Sequence, residues 1–200
     1  MILSNVAIAD ALKEGRLIID PPPGSLSGDL PGKSPFNTSA VDLRLGNLLQ
    51  VPKEGLAVAI DLRRGNVPTT LATITDTHDL SEKGPYTLEP NRLVLGQTLE
   101  HVSLPLPPAF QTTAPGKPAL AARIEGKSSF ARFGLLVHFT APTIHAGWAG
   151  KITLEIMNLG PTSILLSSGI PICQLILEEV LDEPKSNPSQ FHGQRTPAGQ

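Results

Sequence analysis

The chain has 200 residues, a formal net charge of −2 and a single cysteine, Cys173. That length suits one domain with a proper core, and 40% hydrophobic with 17% charged residues describes an ordinary soluble globule, which excludes a disordered chain. The near-neutral charge gives no footprint for a nucleic acid polymer or an anionic membrane, and one cysteine excludes an intramolecular disulfide and fits a reducing compartment.

No basic stretch followed by a long apolar run marks a signal peptide. No apolar segment approaches the roughly 20 residues of a membrane span. Twenty prolines and eighteen glycines imply many turns and short elements, so a cytoplasmic, all-β protein is expected.

Ser4 is a suitable N-cap for a helix bearing Ile8, Ala11 and Leu12 at helical spacing, with Gly15 as its stop. Leu17-Ile18-Ile19 reads as a short strand, and residues 24–35 as loop. Ser39 to Gly46 alternates apolar and polar residues, the pattern of a half-buried strand. Residues 51–85 are the least legible: Val58 and Ile60 suggest one strand and Thr69 to Thr75 another, with Gly65-Asn66 as the turn between them. Leu93 to Glu100 reads as two β runs interrupted by Gly96, residues 104–117 as a proline-rich connection, and Ala119 to Ile124 as a strand. Thr162 to Leu166 and Ile170 to Leu177 form two more, separated by Ser167-Ser168-Gly169. Roughly ten short strands and one helix indicate a sandwich, barrel or jelly roll. Residues 1–181 make the domain. Residues 182–200 are polar and aperiodic, a tail that is flexible unless a ligand or partner orders it.

Chemistry concentrates between Glu125 and Glu155. Ser128 and Arg132 lie four apart, so one helical turn sets both on one face. The turn Gly126-Lys127-Ser128-Ser129 offers backbone N–H groups, two hydroxyls and an ammonium, a set that suits phosphate oxygens; it reads equally as a short helix capped by Ser128. In Lys151 to Ile156 the apolar Ile152, Leu154 and Ile156 share one face, leaving Glu155 opposite beside Thr153 and Met157. Glu155 is either a carboxylate on a wet face or, if another surface encloses it, a proton carrier with a raised pKa. His138 reads as a hydrogen-bonded core residue, and His145 as exposed to a cleft or solvent. No histidine pair has metal spacing, and the H-x-E…P-C-x-x-C signature of zinc deaminases is absent. A base deaminase of this sequence would activate water without zinc.

These residues carry a resemblance. MILSNVAIADALKEGRLIID, SAVDLRLG, YTLEPNRLVLGQTLEHVSLP, ARIEGKSSFARFGLLVHFTAPTIHAGWAGKITLEIMNLG, GIPICQLILEEV and FHGQRTP are similar to dCTP deaminases of the trimeric dUTPase-like superfamily, in the same order. The resemblance implies a distorted jelly-roll subunit with a short N-terminal helix, assembled as a homotrimer with sites between subunits. It implies hydrolysis of dCTP to dUTP and ammonia, feeding dUMP and dTTP synthesis, with dTTP as a possible feedback inhibitor. Ser128 and Arg132 would orient the attacking water, the Ala141 carbonyl would accept from it, and Glu155 would shuttle protons. Lys127, Ser128 and Ser129 would meet phosphates; Trp148, Thr153 and Leu154 the base and sugar. Gln174 and Gln194 would add nucleotide contacts, the latter from the closing tail. Magnesium would come with the triphosphate, with no ligand from protein side chains.

The chain also departs from the family pattern. His145 stands where an aspartate usually contacts the sugar 3′-hydroxyl, and in dUTPases activates water for attack on phosphorus. Ala146 replaces a proline, Gln190 a lysine and Phe191 a tyrosine. A bifunctional deaminase–diphosphatase, a dUTPase, or a nucleotide-binding trimer turned to regulation or to another cytosine nucleotide are the alternatives.

Overall fold

The computed structural model describes residues 1–26, 34–61, 63, 65–187 and 191–199. Two sheets enclose the core. The first orders its strands as β5 (Thr75–Asp79), β4 (Leu48–Pro52), β7 (Leu93–Ser103), β11 (Ala149–Asn158) and β9 (Leu135–Val137), with β1 (Ile18–Asp20) also paired to β7. The second runs β10 (Thr143–Ile144), β8 (Leu120–Gly126), β13 (Pro171–Glu179), β3 (Ala40–Arg44) and β2 (Phe36–Asn37). A small ladder pairs β6 (Tyr86–Leu88) with β12 (Ile164–Leu166). Every pairing is antiparallel.

One contiguous apolar cluster joins the sheets: Val94 and Val102 of β7 and Ile152, Leu154 and Ile156 of β11 meet Val41 and Leu43 of β3, Ile124 of β8 and Leu175 of β13. Strict alternation along β11 puts the three apolar side chains inward and leaves Thr153, Glu155 and Met157 on the outer face. The expected alternation of residues 151–156 therefore holds. So does the helix α1 (Asn5–Glu14): Ser4 Oγ accepts from Ala7 N–H at 3.3 Å, Ile8 and Ala11 are buried, and Gly15 closes it at φ 73°.

Three expectations fail. Residues 69–74 are helical, within α2 (Val67–Ile74), and only Thr75 begins a strand, which runs into the single turn α3 (Leu80–Lys83). β-branched residues favour strands, but Pro68 sits in the first turn, and Thr70, Thr73 and Thr75 each donate a hydroxyl hydrogen bond to the carbonyl four residues back. Val58 and Ile60 lie outside any strand and are more than half exposed. Finally, β7 runs unbroken through Gly96, where any Cβ would come 2.9 Å from Ile156 Cδ1 and 3.0 Å from Leu45 Cδ1. The glycine admits neighbours rather than ending the strand.

Candidate functional site

The outer face of β11 is aimed by an irregularity. Its register with β7 shifts between Lys151 and Thr153, and the buried Thr98 hydroxyl replaces the lost ladder, accepting from Ile152 N–H at 2.9 Å and donating to Glu100 O at 2.7 Å. Thr153 and Glu155 follow this bulge. Leu154 is fully buried in the core, so only its main chain can touch a ligand.

Glu155 has a partner that the sequence did not single out as a site residue. His138, at φ 59°, places Nδ1 2.8 Å from Glu155 Oε2, and its Nε2 lies 2.8 Å from Ala141 O. A carbonyl only accepts, so Nε2 carries hydrogen. Nδ1 and Oε2 then face each other across a distance that needs a proton between them: imidazolium with carboxylate, or neutral imidazole with carboxylic acid. Both atoms are buried and neither has a well-aligned hydrogen-bond partner. Burial pushes the Glu155 carboxyl up, but the contact with His138 and its positive charge outweigh this and hold it below the ordinary value. The direction is opposite to the one that enclosure alone leads one to expect. His138 is thus a buried histidine, as expected, and also the residue that joins Glu155 to Ala141. Its adjacency to Glu155 comes from β9–β11 pairing, where His138 N–H donates to Glu155 O at 2.8 Å.

The tail closes over the same face. Gln194 donates its amide to Lys151 O at 2.7 Å and to Thr153 Oγ1 at 3.1 Å. Gly150, at φ 152°, leaves room for this: a Cβ there would lie 3.0 Å from Trp148 Cζ2 and 3.2 Å from Gln194 N. Gly193 N–H donates to Ala149 O at 2.7 Å and Thr153 Oγ1 to Pro197 O at 3.4 Å, so the tail is tied to β11, with Gln194 and Ala198 buried. Gln190 lies outside the described residues. A cleft of about 40 Å³ is lined by His145, Trp148, Asn187 and His192, among others, and His145 is exposed at its edge.

Lys127, Ser128, Ser129 and Arg132 form a second group. α4 (Ser128–Ala131) is a single turn whose N-cap is Lys127, not Ser128: the N–H groups of Phe130 and Ala131 both reach Lys127 O at 3.0 Å. The Ser128, Ser129 and Arg132 side chains are exposed and make no hydrogen bond or ion pair among the described residues. The turn is pinned to the end of β11 by backbone contact, since a Cβ on Gly134 would fall 2.3 Å from Gly160 N and one on Gly160 2.1 Å from Phe133 O. Buried Asn158 fixes the facing loop through Leu88 O, Thr162 O and Gly160 N–H. Gln174 belongs with this group, on β13, bonded to Asp42. Among the described residues no side chain of this group makes a hydrogen bond or ion pair with Glu155.

A family model described as dCTP deaminase-like matches residues 2–180. The chain belongs to that family. Among its relatives, a dCTP deaminase of Rhodospirillum rubrum is 33% identical over 94% of this chain and 87% of its own. A "dCTP deaminase, dUMP-forming" of Dictyoglomus thermophilum is 36% identical over 98% of this chain and 92% of its own. The crystal structure of 2′-deoxycytidine 5′-triphosphate deaminase from Agrobacterium tumefaciens shares the fold, with a TM-score of 0.60 at 21% identity over 90% of this chain; the chain spans about half of that protein's length. No helix of the described residues is long and apolar enough to cross a membrane.

Proposed function

We propose that the chain is a hydrolase that deaminates dCTP to dUTP and ammonia, with sites formed between the subunits of a homotrimer. One observation carries this reading: the His138 imidazole sets Nδ1 2.8 Å from the Glu155 carboxyl and Nε2 2.8 Å from the Ala141 carbonyl, on the face of β11 where Gln194 of the tail bonds Thr153. Water held by the Ala141 carbonyl, Ser128 and Arg132 attacks C4 of cytosine while Glu155 takes its proton and passes it to N3. The tetrahedral centre then returns a proton from the new hydroxyl, through Glu155, to the amino group. Ammonia leaves and the C4 carbonyl forms. His138, fixed by Ala141 O, keeps Glu155 ionised and ready to accept.

Two features support assembly. Among the described residues the Ser128 and Arg132 side chains have no partner, and exposed Phe133 (66%) and Leu159 (54%) lie beside their turn, an apolar surface suited to a second copy. A neighbour's turn over the Glu155 face would complete the water site. Lys127, Ser128 and Ser129 would meet the phosphates, with Gln174 beside them; Trp148, Thr153, His145 and Gln194 would hold the nucleoside. Among the described residues no three His, Cys, Asp or Glu side chains gather as metal ligands; magnesium enters with the triphosphate as part of the substrate. A cytoplasmic setting and dTTP inhibition complete the reading. The test is ammonia release from Mg–dCTP: a folded trimer that leaves dCTP unchanged overturns it.

Names of relatives such as that from Dictyoglomus thermophilum favour a second reading, in which the product is dUMP. Attack on phosphorus needs a base near the triphosphate, and His145 stands at the position where the resemblance implies an aspartate. Pyrophosphate released with the ammonia would establish this reading over the first.

A further inference from the structure

Asp42 gathers three donors from three strands or turns. Its Oδ1 accepts from Asn37 Nδ2 at 2.8 Å and from Gln174 Nε2 at 3.2 Å, and its Oδ2 takes the Lys127 ammonium. The row follows from sheet register: Gln174 of β13 is the direct partner of Asp42 on β3 and of Glu125 on β8, and Lys127 follows the end of β8. Both members of the ion pair are largely covered, with side-chain exposures of 20% for Lys127 and 14% for Asp42. Ser128, Ser129 and Arg132, in the same turn, have no such anchor among the described residues.

We propose that Asp42 is a positioning residue for the nucleotide phosphates, acting through Lys127; this rests on the deaminase reading for the identity of the ligand. Lysine is a flexible point charge on a four-carbon stem, and much of its rotamer freedom is lost when it meets an anion. Asp42 removes that freedom before the ligand arrives, so less is lost on binding. Asn37 and Gln174 fix the carboxylate in turn, because each donates to the oxygen that the lysine does not use. The phosphate-facing lysine is therefore preset from the opposite sheet to the one that carries Glu155.

The full chain can test this with a double-mutant cycle of Asp42→Asn, Lys127→Met and the pair. Deamination of Mg–dCTP and calorimetric titration with tripolyphosphate are the two readouts. Asparagine keeps an acceptor oxygen for Asn37 and Gln174 and turns an amide NH2, a donor, toward Lys127, so both the charge and the acceptor that hold the lysine are lost. The expected result is a KM raised about ten-fold in Asp42→Asn, kcat changed by less than about two-fold, and a parallel loss of tripolyphosphate affinity. In the Lys127→Met background the second substitution changes neither. An unchanged or lowered KM, a fall confined to kcat, or the same rise without Lys127 overturns the proposal. Asp42→Glu, which keeps the charge but displaces it by one methylene, serves if asparagine prevents folding; it should raise KM only while Lys127 is present. If the wild type releases no ammonia, the deaminase reading fails by itself. Titration then decides alone: tripolyphosphate binding weakened by Asp42→Asn only when Lys127 is present sustains the proposal, and absent or uncoupled binding ends it.

Discussion

At the scale of single residues, chemistry depends on which group holds the proton between Glu155 and His138. The carboxyl lies below its ordinary value because the imidazolium outweighs burial, so the carboxylate form dominates at neutral pH and can accept from water. Replacing Glu155 by glutamine keeps size and one acceptor but removes the proton carrier. kcat should fall by about 10²–10⁴ in a steady-state ammonia assay, with circular dichroism unchanged. His138→Asn tests the tuning, and asparagine suits the backbone because it tolerates the left-handed φ of 59° at this position. The sign is fixed. Without the cation the Glu155 carboxyl rises, so the acidic limb of kcat/KM must move to higher pH. The same carboxyl, depressed in the folded state, adds stability above the ordinary carboxylate value and loses it as pH falls through the folded value. The acid-unfolding midpoint of His138→Asn should accordingly also move up. A pH–rate profile that keeps its acidic limb in place would remove His138 from the mechanism.

At the scale of elements, what sequence makes legible is what local pattern controls. The alternation in Lys151–Ile156 is set by burial on one face alone, so it reads directly; Ser4 and Gly15 delimit α1 because capping is local. α2 is not legible, since Val67 to Thr75 has strand-like β-branching and becomes helical through Pro68 and threonine hydroxyls bonded within the turn. The Glu155–His138 contact is equally hidden, because it depends on β9–β11 register and a positive φ, and neither has a periodic signature. The pinning of α4 is of this kind too. Gly160 has no room for a Cβ, with Phe133 O at 2.1 Å, whereas a Cβ at Gly169 meets nothing within 4 Å. Gly160→Ala should cost at least about 1–3 kcal/mol, the range for overpacking, since a backbone oxygen yields less easily than a side chain. For a chain of this size that is a Tm loss of about 2–4 °C per kcal/mol. Gly169→Ala, strained only by its φ of 80°, should lose less. Equal losses in differential scanning calorimetry would show that α4 is not held by this approach.

At the scale of the whole molecule, the division of functional residues into two groups makes a quantitative demand. Glu155, His138, Ala141 and the Gln194 tail lie together on one face, while the Ser128 and Arg132 side chains lie exposed in the turn after β8, unpartnered among the described residues. If one subunit's turn completes its neighbour's Glu155 face, Arg132→Ala and Glu155→Gln damage different halves of every site. Each variant alone should then be close to inactive. When the two are unfolded together, mixed in equal amounts and refolded, the Glu155 half of a site comes intact from one variant and the turn from the other. Random assembly around a closed ring pairs two intact halves in about one site in four, so activity should return to about a quarter of wild type. Sites built within one chain would recover nothing, because every chain carries one damaged half. Ammonia release from the co-refolded mixture, set against each variant refolded alone, separates the two architectures without a structure of the assembly.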